Sequence, residues 1–151
     1  MKAVIQRVAS ALVQVEGKTV GEIDNGLLVL LGVTKEDTEE DAQILAKKIA
    51  AMRIFTDEND KMNLSVKDVG GGILVISNFT LCADMRKGTR PSFDPAMPPL
   101  EANRLYEYFC DRLKEQEITR IEKGGFGADM KVSLLNDGPV TLTLDSVLWR
   151  K

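Results

Sequence analysis

The run LLVLLGV, Leu27 to Val33, constrains this chain more than any other stretch. Its continuous apolar character is that of a strand buried on both faces. Just before it, Asp24-Asn25-Gly26 is a strong turn signal, because Asn and Gly tolerate positive φ. Further upstream, Val13 and Val15 alternate with Gln14 and Glu16, Glu16-Gly17-Lys18 supplies a turn, and Val20 to Ile23 continues extended. The first third therefore reads as strands.

Polarity then changes sharply. Thr38-Glu39-Glu40-Asp41 resembles a capping box, with acidic side chains where the helix dipole favours them. Ala42, Leu45, Ala46, Ile49 and Met52 follow at helical spacing, with Lys47 and Lys48 on the solvated face. TDENDKMN, residues 56–63, is a polar loop, and Gly70-Gly71-Gly72 turns the chain into a strand expected over Ile73 to Phe79. No Gly-Lys-Ser/Thr follows the triple glycine, so it is not a phosphate loop. Four of the five prolines (Pro91, Pro95, Pro98 and Pro99) lie in the next loop. A second amphipathic helix is expected from about Leu100 to Glu117, with Leu105, Phe109 and Leu113 on one face. GGFGADM, residues 124–130, leads into a strand in which Met130, Val132 and Leu134 alternate with polar residues. Asn136-Asp137-Gly138 is expected to reverse it, with Val140, Leu142 and Leu144 alternating back. The order is strands, helix, strand, helix, strands, which predicts an α+β class and one domain over residues 1–151.

Composition narrows the functional classes. Hydrophobic residues make up 44% and charged residues 28%, as in ordinary soluble domains. No apolar run approaches the roughly 20 residues that a membrane span needs. The start, MKAVIQRVAS, lacks the apolar stretch and cleavage pattern of a secretory signal, so a cytoplasmic protein is expected. Cys82 and Cys110 form neither a disulfide framework nor a metal motif and are read as reduced and structural. With no histidine and no cysteine pair, neither a transition-metal site nor a cofactor is expected. The net charge of −3 argues against broad nucleic-acid binding, and leaves room for a short nucleic-acid end held by a local basic patch.

Three motifs carry candidate chemistry. ISNFTLCAD, residues 76–84, would on a continuing strand point Ser77, Phe79 and Leu81 one way and Asn78, Thr80 and Cys82 the other. It is either a core strand capped by polar residues or the lip of a pocket carrying hydroxyls. Thr80 would need an activating base to act as a nucleophile. A Ser-His-Asp triad is excluded by composition. The nearest carboxylate, Asp84, belongs to a residue type that ionises near pH ~4 and is a poor base for a hydroxyl. In NDGPVT, residues 136–141, a proline stands between two good strands although it cannot donate to a ladder. X-Pro bonds adopt cis cheaply, and such a bond would turn the carbonyls of Gly138 and Pro139 the same way, as an acceptor surface for a ligand's amino group. MRKGTRPSF, residues 85–93, is either a phosphate grip through Arg86, Lys87 and Arg90 or a solvated loop.

Taken together, these motifs resemble those of the D-aminoacyl-tRNA deacylase family. ISNFTLCAD is similar to that family's Ser-Gln-Phe-Thr motif and NDGPVT to its Gly-Pro motif. The opening 33 residues, KGTRPSFDPAMPP and GGFGADMKVSLLNDGPVT are similar in order and spacing, so the resemblance spans essentially the whole chain. One departure stands out: Asn78 occupies the position of the family's glutamine and keeps the amide on a shorter stem. The resemblance implies a barrel-like arrangement of antiparallel and mixed sheets packed by two helices, in a homodimer. It implies hydrolysis of the ester joining a D-amino acid to the 3′ end of tRNA, and of glycine mischarged on tRNA-Ala, as chiral proofreading. Ser77, Phe79 and Thr80 would be catalytic, and Asn78, Phe126, Ala128, Met130, Gly138 and Pro139 would bind substrate. Arg86, Lys87 and Arg90 would hold tRNA, and Gly138-Pro139 would enter the partner subunit's site. No membrane and no DNA partner is implied. The alternatives are a Thr80-nucleophile esterase and a non-catalytic module that grips nucleic-acid ends.

Overall fold

In the computed structural model, which describes all 151 residues, β3 (Gly26–Gly32) lies in the middle of the main sheet, as its unbroken apolar run requires. It pairs antiparallel with β1 (Lys2–Val15) and parallel with β6 (Gly72–Ser77). Leu27, Val29 and Leu31 face one core and Leu28 the other, and none is more than 1% exposed. Each such burial contributes about 1.5–3 kcal/mol. β2 (Lys18–Ile23) pairs with the far end of β1, and β7 (Arg120–Lys123) extends the sheet from β6 in parallel. The strand order is β2-β1-β3-β6-β7, with β8 (Met130–Asp145) on the other edge of β1. The mixed sheet curls into a nearly closed barrel-like form, and Gly21 of β2 lies against the Lys123 carbonyl of β7.

Two helices cover one face. α1 (Glu39–Ala51) starts at Thr38, whose N–H donates to the Asp41 carboxylate at 2.8 Å, so the expected capping pair forms. α2 starts at Pro99, where a missing N–H costs nothing, and ends at Lys114, three residues before the expected end. The chain has already left the helix when Glu117 takes a φ of 61°. Leu45 and Ile49 of α1 share the larger core with Leu105, Phe109 and Leu113 of α2. A smaller core, including Val8, Val13, Ile23, Leu74 and Ile76, forms on the opposite side of the sheet. The polar loop over residues 56–63 carries a short hairpin of β4 (Phe55–Thr56) and β5 (Met62–Leu64). Cys82 and Cys110 are buried free thiols, and burial pushes Cys110 up to about 12. No helix is long and apolar enough to cross a membrane.

Two expectations are overturned. β6 ends at Ser77 rather than Phe79, and Phe79–Cys82 forms a 3-10 turn, so side chains 77 to 82 do not alternate across a strand. The Asn78 N–H makes the last contact with β3, donating to the Leu31 carbonyl at 2.8 Å. Leu81 and Ala83 then donate back to Asn78 and Thr80, which closes the turn. Gly32 leaves room for it: a Cβ there would lie 2.9 Å from Leu81 Cβ and 3.1 Å from the Asn78 carbonyl oxygen.

The second correction concerns Asn136-Asp137-Gly138, which does not reverse the chain. β8 runs on as one 16-residue strand along the 14-residue β1. Between the pairs Val8–Asn136 and Gln6–Thr141, β1 advances two residues and β8 five. The surplus is expelled from the ladder as a bulge, because Gly138 takes a φ of 125° and Pro139 has no N–H to offer. The Gly138–Pro139 peptide is cis.

The two chain ends meet over α1. The Met1 ammonium is buried against the Asp37 carboxylate and the Ser146 hydroxyl. Arg150 donates to Asp37 at 2.8 Å and to Asp41 at 2.9 Å. Burial alone would raise the Asp41 pKa, but hydrogen bonds from Ser146, Thr38 and Arg150 outweigh it and bring the value down to about 2. A depressed carboxylate stabilises the fold fully above its unfolded pKa of about 3.9, and this contribution is lost as pH falls through the folded value. Asp41→Asn is therefore expected to lower the melting temperature near neutral pH and to flatten its decline between about pH 4 and about pH 2. Parallel wild-type and variant curves across that window would contradict the assignment.

Candidate active site

A cleft of about 790 Å³ opens where the end of β6, the 3-10 turn, the start of α2 and the start of β8 converge. Six of the residues expected to act line it: Ser77, Asn78, Phe79, Phe126, Ala128 and Met130. Its wall is mostly apolar, and its only ionisable side chain is Asp129, an exposed carboxylate 3.3 Å from the Lys131 ammonium. A site of this kind orients an apolar or aromatic ligand with a few polar groups.

The turn sets the polar geometry of the lip. The first N–H groups of a helical turn have no partner within it, and here they belong to Phe79 and Thr80. Asn78 precedes the turn but does not cap it with its side chain. Its Oδ1 instead accepts from the Thr80 hydroxyl at 2.5 Å. Thr80 does not line the cleft itself but is exposed beside it. With its proton directed at an amide oxygen, the Thr80 oxygen presents lone pairs outward, and a carboxamide cannot remove that proton. Asp84, the nearest carboxylate in sequence, is engaged elsewhere. The Arg86 guanidinium beside it, donating at 2.7 to 3.1 Å, holds it down to about 2.

The basic loop divides accordingly. Arg86 is committed to Asp84, whereas Lys87 and Arg90 are exposed and have no ion-pair partner. Phe93, from the same loop, lines the cleft and packs edge-on against Phe79 with ring centroids 5.1 Å apart. Gly138 and Pro139 do not line the cleft of their own chain and are exposed on the β8 bulge. Arg7, only 8% exposed, anchors that bulge: its Nε donates to the Asp137 carbonyl at 3.2 Å and Nη1 to the Ile54 carbonyl at 2.8 Å.

Sequence reasoning missed Gln6, Phe93 and Arg7. Gln6 lines the cleft as the one polar residue between Val4 and Val8 on the same face of β1. Phe93 sits in a loop whose evident sequence signal is its charge. Arg7 continues the core-facing series Ala3 and Ile5, and a charged residue in such a register is a signal that was available.

Comparison with known proteins identifies the family. The family described as D-Tyr-tRNA(Tyr) deacylase matches residues 4–145. A D-aminoacyl-tRNA deacylase from Thermosipho africanus is 59% identical over 146 residues, covering 97% of both chains. One from Yersinia enterocolitica is 58% identical over 144 residues, covering 95% of this chain and 99% of the relative. Among solved structures, a protein named c-Myc DNA Unwinding Element Binding Protein superposes with a TM-score of 0.89 at 42% identity, covering 96% of this chain and 98% of its own. A probable eukaryotic D-amino acid tRNA deacylase, at 16% identity and a TM-score of 0.79, shares the fold over 95% of this chain and 97% of its own. The chain belongs to the D-Tyr-tRNA(Tyr) deacylase family.

Proposed function

We propose that this protein hydrolyses the ester between a D-amino acid and the terminal ribose of tRNA, in the cytoplasm, as a chiral proofreading step. The observation that carries the reading is the lip of the cleft: unpaired main-chain donors beside an apolar wall, with no side chain able to serve as a base. An aminoacyl ester is already activated, so water can attack it without a strong protein nucleophile. The N–H groups of Phe79 and Thr80 stabilise the oxyanion, a contribution of about 3 kcal/mol for a well-placed donor. The neighbouring ribose hydroxyl assists the attack, and Ser77 and Thr80 position the reacting groups. Asn78 fixes the Thr80 hydroxyl through the 2.5 Å contact, which favours positioning over acyl-enzyme formation.

The exposed Gly138-Pro139 bulge does not line its own cleft, and Leu134 and Leu135 near it are 38% and 61% exposed. A second copy related by twofold symmetry covers these leucines and receives the bulge in its cleft. The carbonyls of Gly138 and Pro139 then hold the substrate's amino group. Exchanging D for L swaps hydrogen and side chain at the α-carbon and drives an L side chain into main chain. Exclusion of this kind discriminates more strongly than the ~1–3 kcal/mol that an apolar pocket gains per methylene. Glycine has no side chain to reject, so glycine mischarged on tRNA-Ala is also cleaved. Lys87 and Arg90 grip the acceptor end of tRNA, while Arg86 shapes their loop through Asp84.

Incubation with D-tyrosyl-tRNA and its L counterpart tests the reading directly. Free D-tyrosine is expected, with the L-ester spared. Binding without release of amino acid would instead favour a module that holds nucleic-acid ends. Thr80→Ala is expected to lower kcat by roughly tenfold, about the value of one neutral hydrogen bond. An acyl group trapped on Thr80 and found by mass spectrometry would refute the positioning role.

A further inference from the structure

Two main-chain carbonyls mark the mouth of the β8 bulge, and one side chain spans them. Asn136 Nδ2 donates to the Arg7 carbonyl at 3.0 Å and to the Val140 carbonyl at 3.1 Å. Asn136 is the last paired residue before the bulge, and Val140 precedes Thr141, where pairing resumes. The amide thus ties the entry of the bulge to its exit and both to β1, where ladder bonds are interrupted. Carbonyl oxygens only accept, so the amide nitrogen must face them. The Oδ1 side lies 3.5 Å from the Thr141 hydroxyl, itself 3.5 Å from the amide of Gln6 in the wall of the cleft.

We infer that Asn136 is a positioning residue for chiral selection, acting as a clamp that fixes the height at which Gly138 and Pro139 stand above the sheet. Arg7 holds the Asp137 side of the bulge, and Asn136 holds its base. A filter that works by collision is only as selective as it is stiff, because a bulge free to retreat makes room for the L side chain. The inference rests on the deacylase reading above.

Two variants test it. Asn136→Ala removes the clamp. Asn136→Asp keeps the size but turns a carboxylate with no donor toward two carbonyls. For each, rates on D- and L-tyrosyl-tRNA are measured together with circular dichroism. The D-to-L rate ratio is expected to fall by about tenfold or more in the folded variants, through a rise in L hydrolysis. A role in stability alone would lower both rates in proportion and leave the ratio unchanged. A folded variant of either kind with the wild-type ratio overturns the clamp. Wild-type protein that is inactive on D-tyrosyl-tRNA removes the deacylase reading itself, whereas a selective wild type with equally selective variants removes only the clamp.

Discussion

The pairing of β8 with β1, which shifts register only on either side of Val8, is the constraint on which the rest of this molecule depends. β1 is long enough to carry β3 and β2 in turn on one edge and β8 along the other. That arrangement sets the cleft wall, because Gln6, Leu28 and Leu134 come from three strands of the same sheet. Where β8 has more residues than β1 can pair, the surplus leaves the sheet as the Gly138-Pro139 bulge. One strand thereby has two parts: its first half lines the cleft, and its exposed bulge stands outside that lining.

The chemistry of the cleft follows from what is missing as much as from what is present. Asp129 is solvated and paired with Lys131, and the Arg86 guanidinium holds Asp84 well below the usual carboxylate range. The remaining polar resources are main-chain N–H groups, the hydroxyls of Ser77 and Thr80 and the amides of Asn78 and Gln6. Such groups orient and stabilise charge but cannot act as strong bases near neutral pH. They suit a substrate that brings its own reactivity. The short amide of Asn78 reaches the Thr80 hydroxyl and gives the lip a side-chain hydrogen bond.

Much of this was legible in the chain before folding. The apolar run Leu27–Val33, the Thr38–Asp41 cap and the spacing of Leu105, Phe109 and Leu113 are local signals, and local physics realises them. The misreadings have non-local causes. Asn-Asp-Gly carries the same signature in a hairpin and in a bulge, and only the length of β1 decides between them. The end of β6 at Ser77 depends on clearance at Gly32, 45 residues earlier, which no window around Phe79 reports. ISNFTLCAD and NDGPVT were found because their polar residues interrupt apolar strands. Phe93 joins the site only because its loop folds back onto Phe79.

The central claim is that each cleft is completed by main chain from a second copy. Deleting residues 137–139 leaves two steps of β8 opposite two of β1, so the ladder can close while the cleft is kept. Ala128→Trp fills the cleft and leaves the bulge untouched. Neither variant alone should cleave D-tyrosyl-tRNA while sparing the L-ester. Mixed subunits should regain that selectivity, because the intact cleft of one then meets the intact bulge of the other. Mixed dimers that form yet show no selective hydrolysis would contradict the account.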